Sequence, residues 1–125
     1  MRNLLILLMT PIIAAAGTHA GSADLMLWIE KEVTKENQVI LTPYVKSPSA
    51  ATLRYSFEVD KHGKSGRSTT RQSGLMSFQS DQPKALSTLT IHLKPEDHCR
   101  VELKLYDEDR RLIAELVSEA PDYLP

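Results

Sequence analysis

The sequence predicts an all-β fold, a sandwich or barrel built from short antiparallel strands. In six segments apolar residues alternate with polar ones, the period of strands that bury one face. Short polar connections separate these segments at regular spacing, and several contain Pro or Gly. A seventh segment is polar but rich in β-branched threonine, so we expect about seven strands.

The first twenty residues have the features of a secretory signal peptide. A basic start precedes the apolar run 4–16, and small residues precede a cut after Ala20. The run is shorter than the roughly 20 residues that span a bilayer. An uncleaved N-terminal anchor is the alternative, and Pro11 within the run argues against it. We expect residues 1–20 to be removed and residues 21–125 to form one domain with an irregular C-terminal tail.

Composition excludes several classes of protein. The net charge of −1 is not that of a general nucleic-acid binder, and no later apolar run is long enough for stable membrane association. Cys99 is the single cysteine, so an intramolecular disulfide is impossible. Charge is unevenly distributed, because residues 61–80 hold four Lys or Arg and no acid, whereas residues 107–122 hold six acidic residues and two Arg.

The first three alternating segments are "LMLWIEKEV", "QVILTPYV" and "ATLRYSFEV". Their predicted inward residues are Leu25, Leu27, Ile29, Val33, Val39, Leu41, Val45, Leu53, Tyr55, Phe57 and Val59. Pro43 lies on the inward side of the second segment and cannot donate to a ladder, which predicts an edge strand or a bulge. Trp28 is out of phase, and it either covers the other side of its sheet or contacts a partner.

The stretch "HGKSGRSTTRQSG" at residues 62–74 holds a Gly-Lys-Ser but no phosphate-binding loop, since Glu58 stands where the first glycine is required. We interpret "KHGKSG" as a turn and "RSTTRQSGLMSF" as a polar strand that becomes apolar near Leu75. Such a strand belongs at a sheet edge. Two interpretations stay open: a charged edge that prevents unwanted pairing, or a basic, hydrogen-bonding strip that faces a partner.

The last three segments are "LSTLTIHL", "CRVELKLYD" and "RRLIAELVS". Their predicted inward residues are Leu89, Ile91, Leu93, Cys99, Val101, Leu103, Leu105, Leu112, Ala114 and Leu116. The corner "LKPEDHCRV" between the first two is similar to the turn that crosses between sheets in immunoglobulin variable domains. A plain hairpin is the alternative. The residues of this corner therefore leave the choice between a sandwich and a barrel open.

No constellation typical of an enzyme is present. His62, His92 and His98 are predicted at three different places, and neighbours on a strand such as His98 and Cys99 point to opposite faces. The acidic run 107–109 lacks the spacing of a calcium loop, and no zinc spacing occurs. We therefore expect no catalytic residues, no metal and no cofactor, and we interpret Cys99 as a small buried apolar residue.

Several short motifs from Gly63 onward resemble the curli assembly family of small periplasmic proteins, CsgC and CsgH. They are the G-x-S-G turn, the S/T-x-x-[KR]-Q segment, the "DQPKALSTLTI" run and the L-x-P-[ED]-D corner, in the same order and spacing. The CsgC branch has a C-x-C pair before the turn, where this chain has Ala51 and Leu53. The pattern is therefore more similar to the CsgH branch, and disulfide exchange is not expected.

The resemblance implies an immunoglobulin-like β-sandwich of about seven antiparallel strands. It also implies a periplasmic, monomeric, chaperone-like inhibitor that prevents premature amyloid aggregation of curli-type major subunits through transient contacts. The residues that we expect to contact such a client are Lys61 and Lys64 at the turn and Arg67, Thr69 and Arg71 on the polar strand. The alternative is an exported adaptor or assembly subunit. It would dock on a fimbrial or outer-membrane partner by adding a strand to a sheet.

Overall fold

The computed structural model describes residues 5–6, 24–35, 37–64 and 66–119, and in these ranges every regular element is a β-strand. The predicted signal peptide lies outside the described residues apart from residues 5–6, and so does the tail from residue 120. The strands are β1 (Leu5–Ile6), β2 (Met26–Lys35), β3 (Gln38–Lys46), β4 (Ala51–Gly63), β5 (Gly66–Phe78), β6 (Lys84–Ala85), β7 (Leu89–His92), β8 (His98–Tyr106) and β9 (Leu112–Glu119). Seven strands have four or more residues, which confirms the predicted number.

Two antiparallel sheets make up the fold. Sheet A has the order β1-β2-β3, and both β6 and β7 pair with the far side of β3. Sheet B has the order β5-β4-β8-β9. The apolar residues of the two sheets form one buried cluster, so the structure is the predicted sandwich.

Period-two alternation accounts for this core. In β4 the inward residues Leu53, Tyr55, Phe57 and Val59 are buried, whereas Arg54 on the opposite face is exposed. The same alternation runs through β3 and β8, and Phe57 is fully buried. Burial of a side chain of this size contributes roughly 1.5–3 kcal/mol, so the alternating segments carry most of the stabilisation.

Pro43 corrects one expectation about β3. The strand is central in sheet A, with β2 on one side and β6 and β7 on the other. The carbonyl of Pro43 accepts a bond from the amide of Leu86, so the proline nitrogen faces the gap between β6 and β7. β3 is therefore neither an edge strand nor bulged at Pro43. A proline is tolerated there because no strand pairs with β3 at this gap, so no ladder hydrogen bond is lost.

The corner at residues 93–97 crosses between the sheets as predicted, since β7 belongs to sheet A and β8 to sheet B. Asp97 is buried, and its Oδ2 accepts a hydrogen bond from the amide of Lys94 at 3.0 Å. A Cβ atom on Gly63 would overlap the Asp97 carboxylate. Glycine at position 63 therefore lets the end of β4 approach this corner closely.

The β4–β5 connection is shorter than the predicted turn "KHGKSG". β4 continues to Gly63, which pairs with Gly66, so only residues 64–65 connect the two strands. Gly66 has a φ of 122°, a backbone conformation that favours glycine. Lys61 and His62 consequently belong to β4 and not to the turn.

Candidate functional site

Strand β5 is the edge of sheet B, as the polar sequence predicted. Its 13 residues pair with β4, and no other strand among the described residues lies on its opposite side. The register places six residues of β5 on the solvent face of the sheet. They are Arg67, Thr69, Arg71, Ser73, Leu75 and Ser77. Three of the predicted contact residues therefore form one continuous row.

Asp60 of β4 accepts hydrogen bonds from the first two residues of this row, Arg67 and Thr69. The Arg67 guanidinium donates from Nε to Oδ1 of Asp60 at 3.2 Å and from Nη2 to Oδ2 at 2.9 Å. The Thr69 hydroxyl donates to the same Oδ1 at 3.2 Å. The hydrogen bonds from Arg67, and then those from Thr69, hold the pKa of Asp60 below its ordinary value.

Ion pairs continue across the solvent face of the sheet. Arg71 Nη2 lies 3.1 Å from Glu58 Oε1 of β4. On β8, Arg100 contacts Glu102 at 3.0 Å and Glu119 of β9 at 2.9 Å. Carboxylates on the neighbouring strand therefore neutralise Arg67 and Arg71, which the prediction of a basic strip did not include.

Lys61 and Lys64 are placed differently from the row. Lys61 lies on the inward side of β4, where its Nζ donates to the His92 carbonyl of sheet A at 2.7 Å. The prediction that Lys61 lies at the turn is wrong, because β4 extends to Gly63. Lys64 lies at the turn and is exposed, as predicted.

The histidines do not form a catalytic arrangement with Cys99. His62 and His98 are opposite each other on β4 and β8, and their rings stack with centroids 5.2 Å apart. Cys99 points into the core, and its burial raises the pKa of the thiol to about 11. Its interpretation as a buried apolar residue is confirmed. No group of three or more His, Cys, Asp or Glu within the described ranges is arranged to hold a metal ion.

Trp28 lies on the outer face of sheet A, away from the edge strand β5. Its ring stacks on that of Tyr44 across β2 and β3, with centroids 5.5 Å apart and planes within 3°. Burial and the carboxylate of Glu30 raise the pKa of Tyr44. The out-of-phase position of Trp28 is thus explained by an aromatic pair on the second face of the sheet.

Sequence reasoning missed the acidic partners of the row. Glu58 and Asp60 alternate outward in β4, and that signal was available from the sequence. Their pairing with β5 depended on the register, which is set by the position of the two-residue connection. Since the turn was predicted too long, the cross-strand neighbours could not be assigned.

Among the described residues no helix is long and apolar enough to cross a membrane.

Comparison with known protein families identifies the group to which this sandwich belongs. Residues 22–115 match the family model Tafi-CsgC, described as thin aggregative fimbriae synthesis protein. The chain belongs to the Tafi-CsgC family. The predicted family is thereby confirmed over most of the chain. No curated protein sequence matches the chain.

Two solved structures share the fold of this Tafi-CsgC member. The E. coli curli protein CsgC, in a SeCys form, superposes with a TM-score of 0.63 at 21% identity, covering 76% of this chain and 96% of that one. The solution structure of R. palustris CsgH gives a TM-score of 0.55 at 15% identity, covering 76% and 87%. Both similarities support the sandwich fold, and the preference for the CsgH branch stays a prediction.

Proposed function

We propose that this protein is a periplasmic, monomeric, chaperone-like inhibitor that prevents premature amyloid aggregation of curli-type major subunits. Membership of a family of thin aggregative fimbriae synthesis proteins supports a role in curli assembly. The observation that carries the proposal is the long edge strand β5, whose backbone groups on one side have no partner strand among the described residues. An unpaired edge of this kind is the surface on which an extended segment of another chain pairs.

The ion pairs beside this edge explain why pairing would not propagate. Amyloid growth needs a dry interface between stacked sheets. Arg67 and Arg71 are held at the edge by Asp60 and Glu58, and their side chains remain 69% and 64% exposed. A second layer over this face would have to desolvate these charges, which is costly. A client strand beside β5 would therefore be protected from the next layer, and the client would be released unchanged.

The proposed contact residues follow from this geometry. Arg67, Thr69 and Arg71 form the row at the edge, and Lys64 extends it at the exposed turn. Lys61 is not proposed to lie in this row, since its side chain points inward and its bond to the His92 carbonyl joins the two sheets. The contacts with a client would be transient and sensitive to salt, because exposed charges are screened within about 10 Å at 0.1 M salt.

A charge-exchange variant tests this proposal. Asp60→Arg combined with Arg67→Asp keeps the net charge and a cross-strand pair, but it moves the positive charge from the edge strand to β4. We expect this variant to fold normally by circular dichroism and to delay curlin-type fibrillation less than the native protein. The matched control exchanges Arg100 with Glu119, a pair on β8 and β9 at the opposite edge of sheet B from β5. The control should retain the full delay, and equal behaviour of both exchanges would contradict the proposal.

The same purified protein distinguishes the inhibitor function from the adaptor alternative. An inhibitor with transient contacts delays fibrils at low molar ratios and leaves no stable complex, whereas an adaptor co-purifies with its partner. Isolation of a stable stoichiometric complex with an outer-membrane or fimbrial protein, with no effect on fibrillation, would replace the proposed function by the adaptor function.

A further inference from the structure

A groove of about 400 Å³ lies on the solvent face of sheet B, beside the β8–β9 turn. Its floor is formed by Ser56 and Ser73, which are opposite each other on β4 and β5. The larger side chains around this floor are those of Arg54, Arg71, Tyr106 and Arg110. Two small hydroxyl residues between long neighbours therefore create the depression.

The groove is lined by three guanidinium groups and by no carboxylate. Arg71 is paired with Glu58, but within residues 24–35, 37–64 and 66–119 Arg54 and Arg110 have no ion pair. By contrast, Arg67 and Arg100 at the other end of the sheet are both neutralised. Two of the three guanidinium groups at the groove, those of Arg54 and Arg110, are thus without an ion pair among the described residues.

Arg110 is held at the groove by an unusual backbone conformation. Its φ is 65°, in the left-handed region that residues other than glycine rarely adopt. Asp107 fixes the turn, because its Oδ1 accepts hydrogen bonds from the amides of Asp109 at 2.8 Å and Arg111 at 2.9 Å. The turn thus fixes the backbone from which the Arg110 side chain reaches the groove.

We propose that this groove binds a single carboxylate side chain, Asp or Glu, of an extended peptide segment that lies along β5. The proposal rests on the proposed function, because the partner there is a polypeptide and its anionic side chains are carboxylates. Neighbouring strands are about 4.8 Å apart, and Ser73 lies between Arg71 and Leu75 on the solvent row of the edge strand. A Glu on a strand beside β5 can therefore extend over Ser73 into the groove that Arg54 and Arg110 line, and guanidinium groups suit bidentate binding of a carboxylate.

Peptide binding to the full protein tests this assignment. The probe is a short Thr- and Ser-rich peptide with one central Glu, compared with the same peptide carrying Gln, by NMR titration at low salt. We expect Arg54→Gln and Arg110→Gly each to weaken binding of the Glu peptide about two- to fivefold, the range of an exposed charge pair. Arg110→Gly is useful because glycine suits the left-handed φ, so lost binding cannot be attributed to a damaged turn. Arg111→Gln, at the neighbouring exposed arginine, is the control and should bind normally.

Three results would overturn the inference: equal weakening by Arg111→Gln, equal binding of the Gln peptide, or binding of inorganic phosphate without binding of the Glu peptide. Fibrillation assays separate this inference from the proposed function. If the native protein does not delay fibrils while the Glu peptide still depends on Arg54 and Arg110, the proposed function alone fails. If the native protein delays fibrils but the peptide binds the variants equally, the carboxylate site alone fails.

Discussion

Arg67 and Asp60 form a diagonal pair between the edge strand β5 and its neighbour β4. Asp60 is directly opposite Thr69, and Arg67 is opposite His62, yet the guanidinium reaches the carboxylate with two hydrogen bonds. These bonds raise the pKa of Arg67 and lower that of Asp60. The edge strand is thus connected to the sheet by side chains as well as by its backbone ladder.

The first prediction concerns the titration of Asp60. Because its pKa is lower in the folded state, the pair stabilises the fold at pH values above the ordinary carboxyl pKa of about 3.9. That contribution is lost as the pH falls through the lowered pKa. We expect Arg67→Gln to raise the pKa of Asp60 toward its ordinary value, measured by NMR of the carboxyl group. Arg71→Gln, which removes a different pair, should leave the Asp60 titration unchanged. An Asp60 pKa that does not respond to Arg67→Gln would contradict the pair.

Much of the sandwich could be predicted from local pattern. Leu53, Phe57 and Val101 alternate with polar residues, and a period of two assigns their faces without knowledge of the partner strand. The corner at 93–97 was also predictable, because its Pro and acidic residues interrupt two apolar segments. The edge position of β5 was predictable from its polar, hydroxyl-rich sequence.

What local pattern could not predict was pairing between distant residues. Pro43 indicated an edge, but its position in the middle of sheet A depends on a gap between β6 and β7 elsewhere in the chain. The local pattern predicts Lys61 at the turn, whereas in the structure it bonds to the carbonyl of His92, 31 residues further along the chain. The groove around Arg54 and Arg110 likewise brings together β4 and the β8–β9 turn. Such contacts depend on register and topology, which alternation alone does not specify.

The second prediction concerns the close approach of Gly63 to Asp97. Gly63→Ala adds a methyl group that overlaps the buried carboxylate, and overpacking of this kind costs about 1–3 kcal/mol of unfolding free energy. Asp97→Ala loses the bond to the Lys94 amide but also makes room for the methyl group. In a double-mutant cycle followed by urea denaturation, Gly63→Ala should therefore cost less when Asp97 is already Ala. Strictly additive costs would show that the two positions do not interact.

The third prediction concerns the reactivity of Cys99. The thiol is buried and its pKa is about 11, so very little thiolate is present near neutral pH and reagents have poor access. We expect alkylation by iodoacetamide at pH 8, followed by mass spectrometry, to be slow in the native state and to accelerate in denaturant. Rapid alkylation of the folded protein would contradict the buried position of Cys99 and would reopen a thiol-based role.

The most direct test of the account is the lag time of a curlin-type subunit, followed by thioflavin T fluorescence with and without the purified protein. If the edge strand β5 shields client strands from stacking, a protein-to-subunit ratio well below one should lengthen the lag, and added salt should shorten it again. Mass spectrometry after the assay should show unchanged masses for the protein and for the curlin-type subunit, because no covalent bond is made or broken. A lag time that is unchanged even at an equimolar ratio would contradict the claim that this sandwich inhibits amyloid assembly.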